Sequence, residues 1–103
     1  MAVKDTVEST IADNKIAIFS KSWCPYCKRA KELFRKEFPD EQPKIIELDE
    51  VADGAAIQDY LQDKTGQRSV PNIFVNQKHV GGCDDVHALY GGGKLKQLVA
   101  GTA

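Results

Sequence analysis

The chain has 103 residues, of which 42% are hydrophobic and 28% are charged, and its formal net charge at neutral pH is -1. This length and composition are typical of one globular domain, so we expect residues 1–103 to form a single domain. The near-neutral charge predicts no nucleic-acid surface, and the longest apolar run, 16–19, is too short to span a membrane.

The cysteine content predicts the redox compartment. Cys24, Cys27 and Cys83 make an odd number, whereas a disulfide framework in a secreted protein usually has an even one. No signal-peptide pattern opens the sequence. We therefore expect a reducing compartment, the cytoplasm.

The first half of the chain alternates between helical and strand patterns. Apolar residues at helical spacing predict a helix before Asp13-Asn14, and the run 16–20 predicts a central strand. A second helical pattern starts at Tyr26, with Glu32 and Lys36 on its polar side. Its apolar stripe consists of Tyr26, Ala30, Leu33 and Phe34.

The second half continues with another strand, a helix, a hairpin and two short helices. Residues 44–48 read as a strand, and Asp53 is the expected N-cap of a helix that ends at Gly66. Residues 73–75 and 79–80 predict a hairpin around Asn76-Gln77, and glycines 91–93 separate the last two helices.

This order of elements predicts an α/β domain. Strands joined through helices should pair in parallel, and a hairpin must pair antiparallel. The expected architecture is therefore a mixed four-stranded sheet with helices on both faces.

The segment Cys24-Pro25-Tyr26-Cys27 places two thiols at a strand-to-helix turn, which indicates redox chemistry. The unpaired N–H groups and partial positive charge of a helix start favour a thiolate at Cys24, and Lys21 adds a cation nearby. Helical spacing turns Cys27 toward the core and leaves Cys24 near solvent. Cys24 is thus the expected attacking sulfur and Cys27 the resolving one.

Two other interpretations of this pair are weaker. A zinc site needs a second close pair of ligands, and Cys83, His79 and His87 do not form one. Buried bystander thiols are equally disfavoured, since a proline between two cysteines at a helix start is an odd choice for packing alone. We assign no role to either histidine.

Three segments together resemble the signature segments of dithiol glutaredoxins: 21–27, 65–71 and 81–85. Their order and separation match as well, and the resemblance covers nearly the whole chain. The Cys-Pro-Tyr-Cys segment is similar to that of the class I members. Two positions depart from the usual pattern, because Trp23 stands where many members have Thr, and Ser69 replaces the Thr of a Thr-Val-Pro segment.

The resemblance implies a thioredoxin-like fold, with a four-stranded mixed sheet flanked by about five helices and a cis bond before Pro71. It also implies glutathione as co-substrate and no metal. By similarity, Val70 would bind the cysteinyl backbone of glutathione, and Asp85 its ammonium. The full expected glutathione-binding set is Lys21, Tyr26, Gln58, Arg68, Val70, Pro71, Cys83, Asp84 and Asp85.

Within that set, the resemblance assigns Lys21, Gln58 and Arg68 to the glycyl carboxylate. The N–H groups of Cys83 and Asp84 would bind the γ-glutamyl carboxylate, which is reasonable at a helix start. Cys83 should lie near the ligand, either as a small apolar filler or as a thiol that forms mixed disulfides under oxidation.

The implied activity is glutathione-dependent reduction of protein–glutathione mixed disulfides and of protein disulfides, with Cys24 as nucleophile. The expected partners are glutathione and its protein substrates, without nucleic acid or membrane, and we expect a monomer. Two alternatives stay open. One is a module that holds a [2Fe-2S] cluster between two chains, which Pro25 disfavours, and the other is a thioredoxin-like general disulfide reductase.

Overall fold

The computed structural model describes residues 2–101, which contain five helices and four strands. The helices are α1 (Val3–Asp13), α2 (Pro25–Glu37), α3 (Gly54–Thr65), α4 (Cys83–Gly91) and α5 (Lys94–Ala100). The strands are β1 (Ile16–Ser20), β2 (Lys44–Glu47), β3 (Asn72–Val75) and β4 (Lys78–Gly81). The predicted α/β class and order of elements are confirmed.

The four strands form one mixed sheet in the order β2-β1-β3-β4. β1 and β2 pair in parallel, whereas β3 is antiparallel to both β1 and β4. The β3–β4 hairpin turns at Asn76 and Gln77, both with positive φ, as a tight two-residue turn requires. This agrees with the predicted hairpin.

The pairing of β3 differs from the sequence expectation. α3 joins β2 to β3, yet β3 runs antiparallel to β1 and therefore opposite to β2. The register explains this result. At the end of β1, Ser20 pairs with Glu47, the last residue of β2, and Phe19 pairs with Asn72, the first residue of β3. β2 ends and β3 begins at the same end of the sheet, so α3 and its flanking loops return the chain to the end it left. The expectation that strands joined through a helix pair in parallel is met only by β1 and β2.

The sheet is covered on both faces, and β1 is buried along its whole length. Ile16 and Ile18 pack on the face that carries α2, α4 and α5. Ala17 and Phe19 pack on the opposite face, with residues of α1 and α3. Alternation of side chains along a strand gives each face its own apolar core, which fixes β1 at the centre of the domain.

Helix α2 begins a few residues after the end of β1, at the thiol pair. Cys24 is the N-cap residue, and Pro25 fills the first helical position, where its missing N–H costs nothing. Ala30 and Phe34 of the predicted stripe are buried. Tyr26 is not part of that stripe, because 55% of its surface is exposed and its ring lines a surface groove instead of packing on the sheet.

Candidate active site

The two thiols of the Cys-Pro-Tyr-Cys segment differ in accessibility. All three cysteines of the chain are free, and Cys27 is completely buried, as its helical position predicted. Cys24 keeps only 6% of its surface exposed, so the expectation that it stays near solvent is wrong in degree. A turn closed by the Cys24 N–H and the Lys21 C=O, 3.1 Å apart, holds the preceding residues against it. Of the two thiol residues, Cys24 is nevertheless the one that has exposed surface.

The pKa of the Cys24 thiol is lowered from its ordinary value. Burial by itself would raise this pKa, but hydrogen bonds from the backbone and thiol of Cys27 and from the backbone of Tyr26 outweigh it. These are the donors that a helix start leaves unpaired, as the sequence predicted. Lys31, two turns along α2, adds a smaller electrostatic contribution to this lowering of the pKa of Cys24, whereas the sequence pointed to Lys21 as the cation.

The pKa of Cys27 moves in the opposite direction. Burial raises it, and hydrogen bonds from the Lys21 N–H and the Ser20 hydroxyl only partly oppose that rise. The Lys21 N–H lies 3.5 Å from Cys27 Sγ. Cys24 is therefore the sulfur that ionises first, and Cys27 is held as a thiol beside it.

A surface groove of about 290 Å³ is lined by Tyr26, the residue before Cys27, although neither Cys24 nor Cys27 is part of the lining. One side is the segment before β3, and the other is the start of α4, with Tyr26 of α2 between them. The lining residues are Tyr26, Ser69, Val70, Pro71, Gly82, Cys83, Asp84 and Asp85. Six of the nine predicted glutathione-binding residues thus meet in one place, although they come from three separate parts of the chain.

The wall formed by residues 66–71 is held by side-chain amides. The Val70–Pro71 bond is cis, as the resemblance implied. The amide of Gln67 donates hydrogen bonds to the carbonyl oxygens of Ser69 and Pro71, each at 3.0 Å. Asn72, which is buried, donates to the carbonyl of Gln67 at 3.3 Å. These bonds fix the backbone of the wall and leave Val70 facing the groove.

The opposite wall is a helix N-terminus. α4 begins at Cys83, and the first N–H groups of a helix have no partner within it. Asp85 accepts a hydrogen bond from the Gly82 N–H at 2.9 Å, which closes the start of the helix. Gly81 precedes it with φ of 119°, where a Cβ would lie 2.3 Å from the Asp85 carboxylate. The site therefore needs glycine at this position.

The three remaining predicted ligands, Lys21, Gln58 and Arg68, lie outside the groove lining. Gln58 is buried and donates to the Arg68 carbonyl at 3.0 Å, so in this structure it supports the 66–71 wall from behind. Arg68 forms an ion pair with Asp59 at 3.0 Å. The Nζ atom of Lys21 lies 5.7 Å from the ring centroid of Trp23, whose own side chain is 64% exposed.

Cys83 lies in the groove wall, where it is almost fully buried. Its Sγ is 3.5 Å from Nδ1 of His87, one turn along α4. Burial raises the pKa of this thiol, and the positive charge of Arg29 only partly opposes the effect. The electrostatic setting of Cys83 is thus the reverse of that of Cys24, which fits its interpretation as a filler.

The sequence did not reveal two features that hold the site. The Asp49 carboxylate accepts hydrogen bonds from the N–H and the hydroxyl of Ser22, at 3.0 and 2.5 Å, and so fixes the turn before Cys24. The second feature is Gln67, whose amide bonds to the groove wall have no signal in the sequence beyond its place in a signature segment. The position of Asp49 just after β2 was the available signal, because the ends of parallel neighbours β1 and β2 meet at one edge.

Metal-binding clusters and membrane-spanning helices are both absent from residues 2–101. No three His, Cys, Asp or Glu side chains in that range are close enough together to hold a metal ion. No helix in the same range combines the length and apolar character needed to cross a membrane.

Comparison with known proteins places this chain in a family. The glutaredoxin family model matches residues 16–80. Glutaredoxin-1 of Rhizophagus irregularis is 50% identical over 98 residues, which cover 95% of each chain. Glutaredoxin-C4 of Arabidopsis thaliana is 50% identical over 95 residues, which cover 92% of this chain and 69% of the relative.

A solved structure gives the same assignment. The buckwheat glutaredoxin–glutathione complex superposes with a TM-score of 0.90 and 39% identity, over 97% of this chain and 89% of that one. The thioredoxin-like arrangement of a four-stranded mixed sheet and five helices is confirmed. The chain belongs to the glutaredoxin family of thiol–disulfide oxidoreductases.

Proposed function

We propose that this protein uses glutathione to reduce protein–glutathione mixed disulfides and protein disulfides. The observation that carries the proposal is a thiol of lowered pKa, Cys24, at the start of the helix whose Tyr26 lines a groove that also contains the N-terminus of α4. The buckwheat glutaredoxin that superposes on this chain was solved with glutathione. That complex supports the same ligand here.

The groove has the chemistry that a γ-linked tripeptide requires. The unpaired N–H groups at Cys83 and Asp84 suit the γ-glutamyl carboxylate, since a helix N-terminus favours anions. Asp85 retains a carboxylate oxygen for the ammonium, because Oδ2 is the atom that binds Gly82. The Val70 backbone would pair with the cysteinyl residue in the manner of a sheet edge.

The proposed reaction begins with attack of the Cys24 thiolate on the glutathione sulfur of a mixed disulfide. The protein sulfur leaves as a thiolate and takes a proton from solvent, while glutathione stays bonded to Cys24. A second glutathione thiolate then attacks the glutathione sulfur of that adduct. The products are oxidised glutathione and a regenerated Cys24 thiolate, so two electrons pass from glutathione to the substrate.

For a protein disulfide, the buried partner thiol completes the reaction. Attack by Cys24 gives a mixed disulfide with the substrate, and Cys27, once deprotonated, displaces the substrate by bonding to Cys24. The raised pKa of Cys27 keeps this second sulfur protonated until the first step has occurred. Glutathione would then reduce the internal disulfide.

We also propose that the protein acts as a cytoplasmic monomer.

The test is turnover of the mixed disulfide of glutathione and 2-mercaptoethanol, with glutathione as the only reductant. We expect the wild-type protein to turn over this substrate and Cys24→Ser to be inactive. Absence of turnover in the wild type, together with reduction by a thioredoxin reductase, would favour the general disulfide reductase instead. Full activity of Cys24→Ser would contradict the assigned nucleophile.

A further inference from the structure

The ion pair between Lys31 of α2 and Glu47 of β2 is unlike the other ion pairs of residues 2–101. Its Nζ and Oε2 atoms are 2.8 Å apart, and the two side chains are only 21% and 22% exposed. Each of the other pairs has side chains that are at least 31% exposed. Such a pair is less screened by solvent, so its charges act over a longer distance.

The pair lies at the end of the sheet that carries the nucleophile. Glu47 is opposite Ser20, the last residue of β1, and the Leu48 N–H donates to the Ser20 carbonyl at 2.7 Å. Lys31 follows Cys24 by seven residues, or about two helical turns, so both face the same side of α2. Helical side chains lean toward the helix N-terminus, which brings the Lys31 ammonium back toward Cys24.

The contact does not satisfy Glu47 fully. One carboxylate oxygen binds Lys31, whereas the other, Oε1, is buried and has no hydrogen-bond partner. A buried oxygen of this kind costs free energy, because an unpaired polar atom has lost its water. The carboxylate of Glu47 occupies this unfavourable position for a reason if its role is to place the charge of Lys31.

We propose that Lys31 and Glu47 are positioning residues that set the electrostatic field at Cys24: Glu47 holds the Lys31 ammonium at this end of the sheet and limits its positive field. The inference rests on the proposed function, in which the Cys24 thiolate is the nucleophile. Burial opposes the lowered pKa of Cys24, hydrogen bonds from Cys27 and Tyr26 are its main causes, and the charge of Lys31 acts in the same direction as those bonds.

Other titratable groups also face this region. Cys27 is on α2 beside Cys24, and Cys83 faces it from α4. Lys21 precedes the turn, and its charge adds a small part to the lowering of the Asp49 pKa that hydrogen bonds from Ser22 mainly cause. None of these groups changes in Lys31→Gln or Glu47→Gln, so the two variants isolate the charges of the pair.

The two partners have opposite charges, and the proposal therefore predicts opposite effects. Lys31→Gln removes positive charge, so the midpoint of Cys24 ionisation moves to higher pH. On the acidic side of the midpoint, the thiolate fraction falls about two- to fourfold, as expected for one charge about two helical turns, or roughly 10 Å of helical rise, away in partly hydrated surroundings. Glu47→Gln keeps an oxygen acceptor for Lys31 and moves the midpoint to lower pH. The double variant returns close to wild type.

The measurement is the pH dependence of iodoacetamide alkylation, with the alkylated cysteine located by peptide mass spectrometry. Lys36→Gln is the matched control, because it removes the same charge from an exposed and more distant position on α2 and leaves the midpoint unchanged. Lys31→Arg keeps the charge and retains the wild-type midpoint.

A purely structural role for the ion pair would shift both single variants in the same direction, and that result, or no shift in either, would overturn the inference. Alkylation requires no turnover, so it separates this inference from the proposed function. Opposite shifts in a protein that does not turn over glutathione mixed disulfides would uphold the inference and refute the function. Circular dichroism at each pH confirms that the compared variants are folded.

Discussion

The backbone N–H of Lys21 and the Sγ atom of Cys27 lie 3.5 Å apart, across the turn that carries Cys24. This contact fixes the resolving thiol against the strand end and leaves Cys24 as the residue at the helix start. Together with the hydrogen bonds from Cys27 to Cys24, it gives two neighbouring sulfurs pKa values that move in opposite directions. The division of labour that we propose for the two thiols rests on that difference.

The first prediction concerns Cys27→Ser. We expect this variant to retain most of the wild-type turnover of a glutathionylated substrate, because Cys24 and glutathione complete that cycle without Cys27. Reduction of a protein disulfide should fall to background, since the mixed disulfide with the substrate is no longer resolved from within. Both rates are measured with glutathione as reductant. An equal loss of both activities would contradict the assigned roles.

The second prediction concerns the groove wall. In Gln67→Ala, the carbonyls of Ser69 and Pro71 lose their donor, so the wall is held less firmly. We expect the KM for glutathione to rise roughly two- to tenfold, which corresponds to about 0.5–1.5 kcal/mol for hydrogen bonds of this kind.

Gln62→Ala is the control for Gln67→Ala, because Gln62 is an exposed residue of the same type on α3. Steady-state kinetics with glutathione as the varied substrate measures both variants. An unchanged KM in Gln67→Ala, or an equal rise in Gln62→Ala, would show that these amide bonds do not support the site.

The third prediction concerns the start of α3. A Cβ at Gly54 would lie 1.9 Å from the carbonyl oxygen of Leu48, so Gly54→Ala must displace backbone. We expect the free energy of unfolding to fall by about 1–3 kcal/mol. In Gly91→Ala the added methyl meets nothing within 4 Å, and stability should be unchanged or slightly higher. Urea unfolding compares the two, and similar stabilities for both variants would contradict the close packing.

The fourth prediction links pH to the contact between α1 and α3. Tyr60 donates a hydrogen bond to Glu8 at 2.6 Å, and Lys64 lies 3.0 Å from the same carboxylate. The hydrogen bond from Tyr60 is the main cause that lowers the pKa of Glu8, followed by Lys64. A carboxyl whose folded pKa is lowered stabilises the fold above its unfolded pKa of about 4.3 and loses that contribution as pH falls through the folded pKa.

We therefore expect Glu8→Gln to be less stable than wild type at pH 7, by no more than about 1 kcal/mol because the pair is partly solvated. The difference should vanish near pH 2–3. Urea unfolding across the pH range measures it, with the exposed Glu50→Gln as control. A difference that persists unchanged in acid would mean that Glu8 acts through packing and not through its charge.

Local patterns were sufficient for the elements and for the redox pair. Helical spacing identified the burial of Cys27, and the Asn76-Gln77 turn was predicted correctly, because both depend on residues close together in sequence. The same spacing wrongly predicted that Tyr26 packs on the sheet. Tyr26 lies in the first turn of α2, and this turn has no sheet beneath it because the helix starts at the end of β1. Which part of a helix face is covered depends on the neighbouring elements.

The sequence by itself determined the class of fold, the position of the thiol pair at a helix start and the segments that meet in one groove beside Tyr26. Only the tertiary structure decided that β3 runs antiparallel to β1, that the charge of Lys31 acts on Cys24, and that Gln67 holds the groove wall. The physical reason is the separation along the sequence over which each effect acts. Backbone propensity and apolar spacing act between near neighbours, whereas burial, ion pairing and strand direction depend on residues that only the folded chain brings together.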